Sequence, residues 1–329
     1  MIDFDWYPPG QGLPSDVEAE LREMLRDAAE ADAEAGFPQL SLDDEPESDT
    51  TRLLVWLLPD DRSGRTVPLA PSLAGYLRIE PLHGEDGDLT GTAEVSYVVR
   101  PEYRSRGITT MLVEKIGLEL GSAEGWCGTG VRALRVWARG NHPAALRMSL
   151  RFRRYGIRTA LRRWQLVVPL KVGREIDPGA EPGGIAVRAA QSTAERLAAA
   201  DLWTANGPRH QPPADATLLV SGPAEAPDGA VWIDPESGEP TEWGVAGRLV
   251  AVLTRDADRD HEDDPLVRAL LVAGLEQLRD GGVRAGIITV DSQDRPVVHE
   301  ARSLGLMHDQ TDVQYTVRNS TIEPLPAVR

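Results

Sequence analysis

A strand beginning Val131-Arg132-Ala133 leads through Asn141-His142-Pro143 into a helix, and the same order returns at Val283-Arg284-Ala285, Asp294-Arg295-Pro296 and a second helix. The two prolines are 153 residues apart. A repeat of that length is a duplicated domain rather than a solenoid, because each copy is long enough to bury its own core. Between the copies runs Lys171–Gly184 (KVGREIDPGAEPGG), rich in Pro and Gly and poor in apolar residues, which reads as a linker. The expected division is therefore a domain over 1–172, a linker over 173–184, a second domain over 185–320, and a tail over 321–329.

Periodicity fills in the elements. Val17, Leu21, Met24, Leu25 and Ala28 share one face of a helix over Asp16–Ala33, with Ser15 as its expected N-cap. Strands are expected over Arg52–Leu58, Leu73–Pro81 and Thr92–Val99, separated by turns at Asp60–Arg65 and Gly84–Asp88. A helix starts at Ile108, with Met111, Leu112, Ile116 and Leu120 at helical spacing. Then come a strand Arg132–Ala138, a helix Pro143–Phe152 and a strand Leu161–Val168 that stops at Pro169. The second half predicts strands Ile185–Arg188, Ala216–Ser221, Ala230–Asp234, Leu249–Arg255, Ala285–Val290 and Thr311–Val317. Its helices are Thr193–Thr204, Pro265–Leu278 and Pro296–Leu304. The fold class is α/β (α+β): two tandem domains, each a mixed, mostly antiparallel sheet flanked by helices.

Composition excludes several functions. The 329 residues carry 35 Lys and Arg against 52 Asp and Glu, a formal charge of −17, which disfavours a nucleic-acid partner. The single cysteine, Cys127, forbids an internal disulfide and points to a reducing compartment. Met1–Pro9 lacks the basic and apolar regions of a secretory signal, and runs such as Leu53–Leu58 are too short to span a bilayer. The expectation is a cytoplasmic protein with no membrane partner. The histidines His83, His142, His210, His261, His299 and His308 show no metal-ligand spacing, so no metal is expected. Asp32 and Glu34 read as surface charge at a helix end.

Chemistry concentrates in Ala93–Lys115, AEVSYVVRPEYRSRGITTMLVEK. A strand ends at Val99. Arg104-Ser105-Arg106-Gly107-Ile108-Thr109-Thr110 then opens the next helix. Unpaired N–H groups at a helix start, the helix dipole and two arginines together make a cradle suited to a pyrophosphate. A glycine there lets the ligand approach the backbone.

The segment resembles the acetyl-CoA motif of the GCN5-related N-acetyltransferases, Arg/Gln-x-x-Gly-x-Gly/Ala. Arg104, Gly107 and Thr109 occupy its positions, and Thr109 replaces the usual small residue. The resemblance implies acetyl-CoA as co-substrate, with the backbone of Tyr97, Val98 and Val99 on the pantetheine arm and Arg104, Ser105, Arg106, Gly107, Ile108, Thr109 and Thr110 around the pyrophosphate. It implies direct acetyl transfer to a small-molecule primary amine by a monomer or homodimer. Glu94 would take the ammonium proton through water, and the Val98 N–H would face the developing oxyanion. VWARGNHPAALRMSL with WQLVVPL, and VDSQDRPVVHEARSLGLMHDQTDVQYTV, extend the resemblance to a tandem member of the family. Two departures stand out. The cradle of the second copy reads Asp258-Arg259-Asp260-His261-Glu262-Asp263-Asp264-Pro265, whose carboxylates repel a phosphate and whose proline removes a donor. The family's general-acid tyrosine falls on Met148 in the first copy and Ala301 in the second. Tyr103, Tyr155 or a water is left to replace it, and a non-catalytic coenzyme-binding pair is the competing expectation.

Overall fold

The structure is a computed structural model that describes residues 1–37, 49–59, 70–82, 90–171, 184–206, 215–255 and 262–318. The expected turns after residues 60 and 84, almost all of the linker, His83, His210 and residues 258–261 of the second cradle lie outside these.

Contacts divide the chain into two units. The first holds β1 (Ile2–Tyr7), α1 (Ser15–Glu34), β2 (Thr51–Leu57), β3 (Ser72–Pro81), β4 (Thr92–Val99), α2 (Ile108–Ile116), β5 (Ala133–Ala138) and α3 (Pro143–Arg151). The second holds β6 (Arg158–Pro169) from Leu161 onward, β7 (Val187–Ala189), α4 (Thr193–Asn206), β8 (Thr217–Ser221), β9 (Gly229–Thr241), β10 (Gly244–Thr254), α5 (Pro265–Asp280), β11 (Ala285–Asp291) and α6 (Arg295–Ser303). The last strand, β12 (Met307–Arg318), belongs to the first unit from Asp312.

Strand order is β1-β2-β3-β4-β5-β12 in the first unit and β7-β8-β9-β10-β11-β6 in the second. In each, one pair is parallel, β4 with β5 and β10 with β11, and the neighbours are antiparallel. The duplication is thus exact in order, with one exchange. The strand that follows α3 in sequence completes the second sheet, and the strand that ends the second copy completes the first. Periodicity locates a strand but not its partner, so a division at the linker does not reveal the exchange.

The first sheet buries both faces. Leu53, Val55, Leu77, Ile79 and Val95 meet Ile108 and Leu112 of α2 on one side. Leu54, Leu73, Tyr76 and Val98 meet Leu21, Met24 and Ala28 of α1 on the other. β1 was not expected, although its IDFDWY alternates as a strand does, with Ile2, Phe4 and Trp6 packed on the α2 side of the sheet and Asp3 and Asp5 exposed. α1 begins at Ser15 itself, with Pro14 at the cap position and no side chain bonding the first turn.

In the second unit α5 lies deep on its sheet because glycines make room. A Cβ on Gly247 would come within 2.5 Å of Leu278, and one on Gly286 within 2.7 Å of Leu275. Trp203 is buried edge-on against Trp232, with ring centroids 4.9 Å apart. Among the described residues no helix is long and apolar enough to cross a membrane.

Candidate active site

β4 and β5 are paired from Thr92/Ala133 to Val95/Val136 and no further, while β4 continues along β3 to Val99/Gly75. Past Val95 the two parallel strands part, and the β5-facing edge of β4 is left open. Hydrogen-bond alternation decides which groups face the opening. Arg100 N–H donates to the Ala74 carbonyl at 3.0 Å and Leu82 N–H to the Thr92 carbonyl at 2.8 Å. Residues in step with these, including Val98 opposite Tyr76, bond to β3. Tyr97 and Val99 therefore turn their N–H and C=O groups toward the opening. The Val98 N–H, expected to face a developing oxyanion, lies instead on the β3 side, because an antiparallel ladder uses every second residue on each edge.

The turn after β4 is built from a short 3-10 segment, Pro101–Tyr103, and two left-handed residues, Ser105 (φ 62°) and Gly107 (φ 82°). α2 begins with no side chain bonding its first turn. Met111 N–H makes the first helical bond, to the Gly107 carbonyl at 2.9 Å. The amides of Ile108, Thr109 and Thr110 are those a helix start leaves directed outward. The Arg106 amide differs from expectation, since it bonds the Tyr103 carbonyl at 3.3 Å. Its guanidinium lies 5.5 Å over the Tyr103 ring.

Arg104 joins three elements. Its Nε donates to the Val99 carbonyl at 3.1 Å, and its Nη1 pairs with Asp32 Oδ1 of α1 at 2.5 Å. Asp32, expected to be plain surface charge, thus holds the motif arginine. Tyr97 points its ring toward α2, and its hydroxyl is buried with no hydrogen bond of good geometry. Burial pushes its pKa up to about 12, opposed only in part by the nearby Thr109 hydroxyl, so it stays a neutral phenol.

Glu94 shares the α1 side of the sheet with Val98. Its register neighbours are Glu80 on β3 and Arg135 on β5. Three residues of strand separate it from Tyr97, roughly 10 Å along the strand. Met148 of α3 is half-buried. Of the two tyrosines left to replace it, Tyr103 is 6% exposed and donates to Ser72 Oγ at 3.0 Å. The Tyr155 hydroxyl accepts from Arg154 at 3.1 Å.

Two residues shape the start of α3 that the sequence reading missed. Asp312 on β12 is 8% exposed and accepts from Gly140 N–H at 2.8 Å and Arg139 Nη1 at 3.2 Å. It clamps a turn in which Gly140 (φ 60°) and Asn141 (φ 52°) are left-handed. His142 Nδ1 accepts from Ala144 N–H at 3.1 Å and caps α3, while its ring lies 4.3 Å from that of Phe37. A His-Pro pair opening a helical pattern was the available signal for this cap; no local signal marks Asp312, because its partners are over 170 residues away.

His142 has its pKa lowered, chiefly by burial, with Arg104 and Arg147 adding to the effect against Asp32. The folded ring binds a proton less readily than the unfolded one, and a protonated Nδ1 cannot accept the cap. Stability present above pH 6.5, the ordinary value, is therefore lost as the pH falls below it. Urea titrations from pH 8 to 5 are expected to show this slope, and His142→Asn, a cap that does not titrate, is expected to flatten it. An unchanged slope in the variant would assign the pH dependence elsewhere.

The second unit keeps the opening but not the cradle. β10 and β11 pair from Ala246/Ala285 to Leu249/Ile288 and then part. At the α5 start, however, Asp264 accepts from Leu266 N–H at 2.9 Å and Val267 N–H at 3.1 Å, and Pro265 has no N–H to offer. Asp264 N–H in turn donates to Glu300 Oε1 at 3.2 Å, and Glu300 pairs with Arg268 at 2.9 Å. The chain's own carboxylate occupies this helix start. Asp263, His299 and Glu300 offer ligand atoms within 4.8 Å of one another, but Glu300 is already balanced by Arg268.

Residues 19–145 match the model of the Acetyltransferase (GNAT) family. The chain is 27% identical to a mycothiol acetyltransferase of Arthrobacter sp. (strain FB24), covering 90% of this chain and 93% of that one. It is 28% identical to the mycothiol acetyltransferase of Saccharomonospora viridis, covering 96% and 99%. In fold it is similar to a tandem GNAT protein from the clavulanic acid biosynthesis pathway, with a TM-score of 0.57, 17% identity, and 98% and 100% of the two chains covered. A GCN5-related N-acetyltransferase from Sphaerobacter thermophilus gives a TM-score of 0.55 at 17% identity, covering 95% of each chain.

Proposed function

We propose, for a chain that belongs to the GCN5-related N-acetyltransferase family and is an N-acetyltransferase, that its first unit alone carries the acetyl-CoA site. The acceptor we propose is a small-molecule primary amine, the cysteinyl amine of Cys-GlcN-Ins, whose acetylation yields mycothiol. The observation that carries the site assignment is the pairing of an open strand edge with an uncapped helix start in the first unit, where the second unit has the same edge and a helix start filled by Asp264. The curated relatives of similar length support the acceptor.

In this reading the outward amides of α2 hold the pyrophosphate, and the Tyr97 and Val99 backbone edge takes the pantetheine arm as an added strand would. The amine attacks the thioester carbonyl, the carbon–sulfur bond breaks, and no acyl-enzyme forms. The Tyr97 N–H faces the oxygen on which charge develops. Glu94 accepts the ammonium proton through water, which leaves a neutral nucleophile. Met148 cannot protonate the departing thiolate and Tyr103 gives its proton to Ser72, which leaves Tyr155, whose hydroxyl only accepts from Arg154, or water as the donor. The missing tyrosine at Met148 also favours the second reading, a pair that binds coenzyme without turnover.

Calorimetry on the full chain is expected to give one equivalent of acetyl-CoA bound. Two equivalents would return the second unit to a binding role. Release of free coenzyme with Cys-GlcN-Ins is the expected activity; turnover with other amines only would reassign the acceptor, and none with any amine would favour the non-catalytic pair.

A further inference from the structure

Each strand of the first sheet has one side toward α2 and α3 and one side toward α1. Leu134 and Val317 pack with Ile108 and Leu112 of α2, and Val313 and Tyr315 cluster with Ala138 and with Ala145 of α3. The alternate residues Arg135, Trp137, Gln314 and Thr316 therefore stand on the α1 side. The cluster that α1 forms there takes in Leu54, Leu73, Tyr76 and Val98 of β2, β3 and β4, and no residue of β5 or β12. β5 and β12 thus carry a polar floor on that side. Glu94 is level with Arg135 and Thr316. Trp137, level with Gln314, is the first residue of β5 beyond its last pair with β4, so these two stand at the opening.

Gln314 is 8% exposed, and among the described residues its side-chain amide has no hydrogen-bond partner. Asp312, two residues earlier on the same side, is equally buried and bonds both Gly140 and Arg139. A buried amide without partners is costly, because its N–H groups and its oxygen have given up water for nothing. A leucine there would carry no such cost. An unpartnered amide kept at the opening points to a ligand that supplies the missing bonds.

We propose that Gln314 is a specificity-determining residue for the acceptor, its amide bonding hydroxyl groups of a polyhydroxylated ring that lies along the Trp137 indole. The proposal rests on the acceptor reading above. A hydroxyl both donates and accepts, so neighbouring hydroxyls of one ring match both ends of an amide. The indole offers the ring an apolar wall, and it is held in place by Arg139, whose guanidinium lies 5.7 Å over it and pairs with Asp312. β12 is two strands from β4, which sets Gln314 at least about 10 Å from the Tyr97 edge. An amine at that edge and a hydroxyl at Gln314 therefore belong to opposite ends of one acceptor, as the cysteinyl amine and the ring end of Cys-GlcN-Ins do. β12 is also the strand that the second copy gives to the first sheet. The second copy then takes part in choosing the acceptor, although its own helix start is occupied by Asp264.

The test is steady-state acetyl transfer by the full chain to two acceptors, Cys-GlcN-Ins and cysteinamide, which keeps the cysteinyl amine and lacks the rings. Gln314→Leu removes an amide that bonds nothing inside the protein, so this variant should melt as the parent does. It is expected to raise KM for Cys-GlcN-Ins, relative to KM for cysteinamide, at least about tenfold, with kcat for Cys-GlcN-Ins within about threefold of the parent. Gln314→Asn, whose amide is set back by one methylene, is expected to fall between. An unchanged ratio of the two KM values in the leucine variant would overturn the proposal and leave the acceptor reading standing, whether neither value moved or both rose together as a purely structural role requires. No turnover of Cys-GlcN-Ins by the parent would overturn the acceptor reading, and this proposal with it.

Discussion

A chain ended after Leu306 is expected to lose acetyl-CoA binding, although every residue of the proposed site except those of β12 remains. The cut removes Val313, Tyr315 and Val317, which are 3%, 7% and 4% exposed. It also removes the ladder to β5 over Ala133–Ala138 and the Asp312 clamp on the α3 turn. Burial of such side chains is worth about 1.5–3 kcal/mol each. Losing three approaches the whole stability of an ordinary domain, about 5–15 kcal/mol. A fragment ended at residue 172, the boundary that the linker composition suggests, is expected to fail for the same reason. A synthetic peptide spanning 307–318 is expected to restore part of the binding when added to it. Circular dichroism and calorimetry on the fragments, with and without peptide, read this out. Full affinity in the 1–172 fragment without peptide would mean that β6 can take the place of β12 and that the exchange is dispensable.

Gly107→Val is expected to weaken acetyl-CoA binding by at least about tenfold with little change in melting temperature. A Cβ at Gly107 meets nothing within 4 Å, so the substitution creates no clash. The cost is conformational. Gly107 has φ 82°, and an L-residue pays about 1–2 kcal/mol there, more when β-branched. The turn relieves that strain by moving, and what moves is the start of α2, whose amides the ligand needs. A shift worth 1.4 kcal/mol is already about tenfold in affinity. Gly107→Asn, which tolerates the left-handed region, is expected to bind between the two. Unchanged affinity in the valine variant would remove the α2 start from the site.

Much of both domains was legible in the sequence. Thr92–Val99 was located to the residue because its alternation ends abruptly in Arg100-Pro101, and the start of α2 because Gly107 and the helical spacing after it agree, although the helix stops at Ile116, short of Leu120. The acidic run before Pro265 was read as hostile to phosphate, and its described end supplies the carboxylate that occupies the helix start. β1 was lost because its aspartates masked an alternation that the packing of Ile2, Phe4 and Trp6 on one face makes plain. Glu94 was visible as a strand carboxylate, but its distance from the opening was not.

By itself the sequence determined the duplication, most elements of each copy, the family motif and the carboxylates before the second copy's helix. All are properties of local pattern, set by residue type and spacing. Only the tertiary structure decided which strands close which sheet, that Tyr97 rather than Val98 faces the opening, and that Asp32 and Asp312 hold Arg104 and the α3 turn. Those depend on pairing register and on side chains brought together from distant parts of the chain, and neither leaves a periodic trace along it.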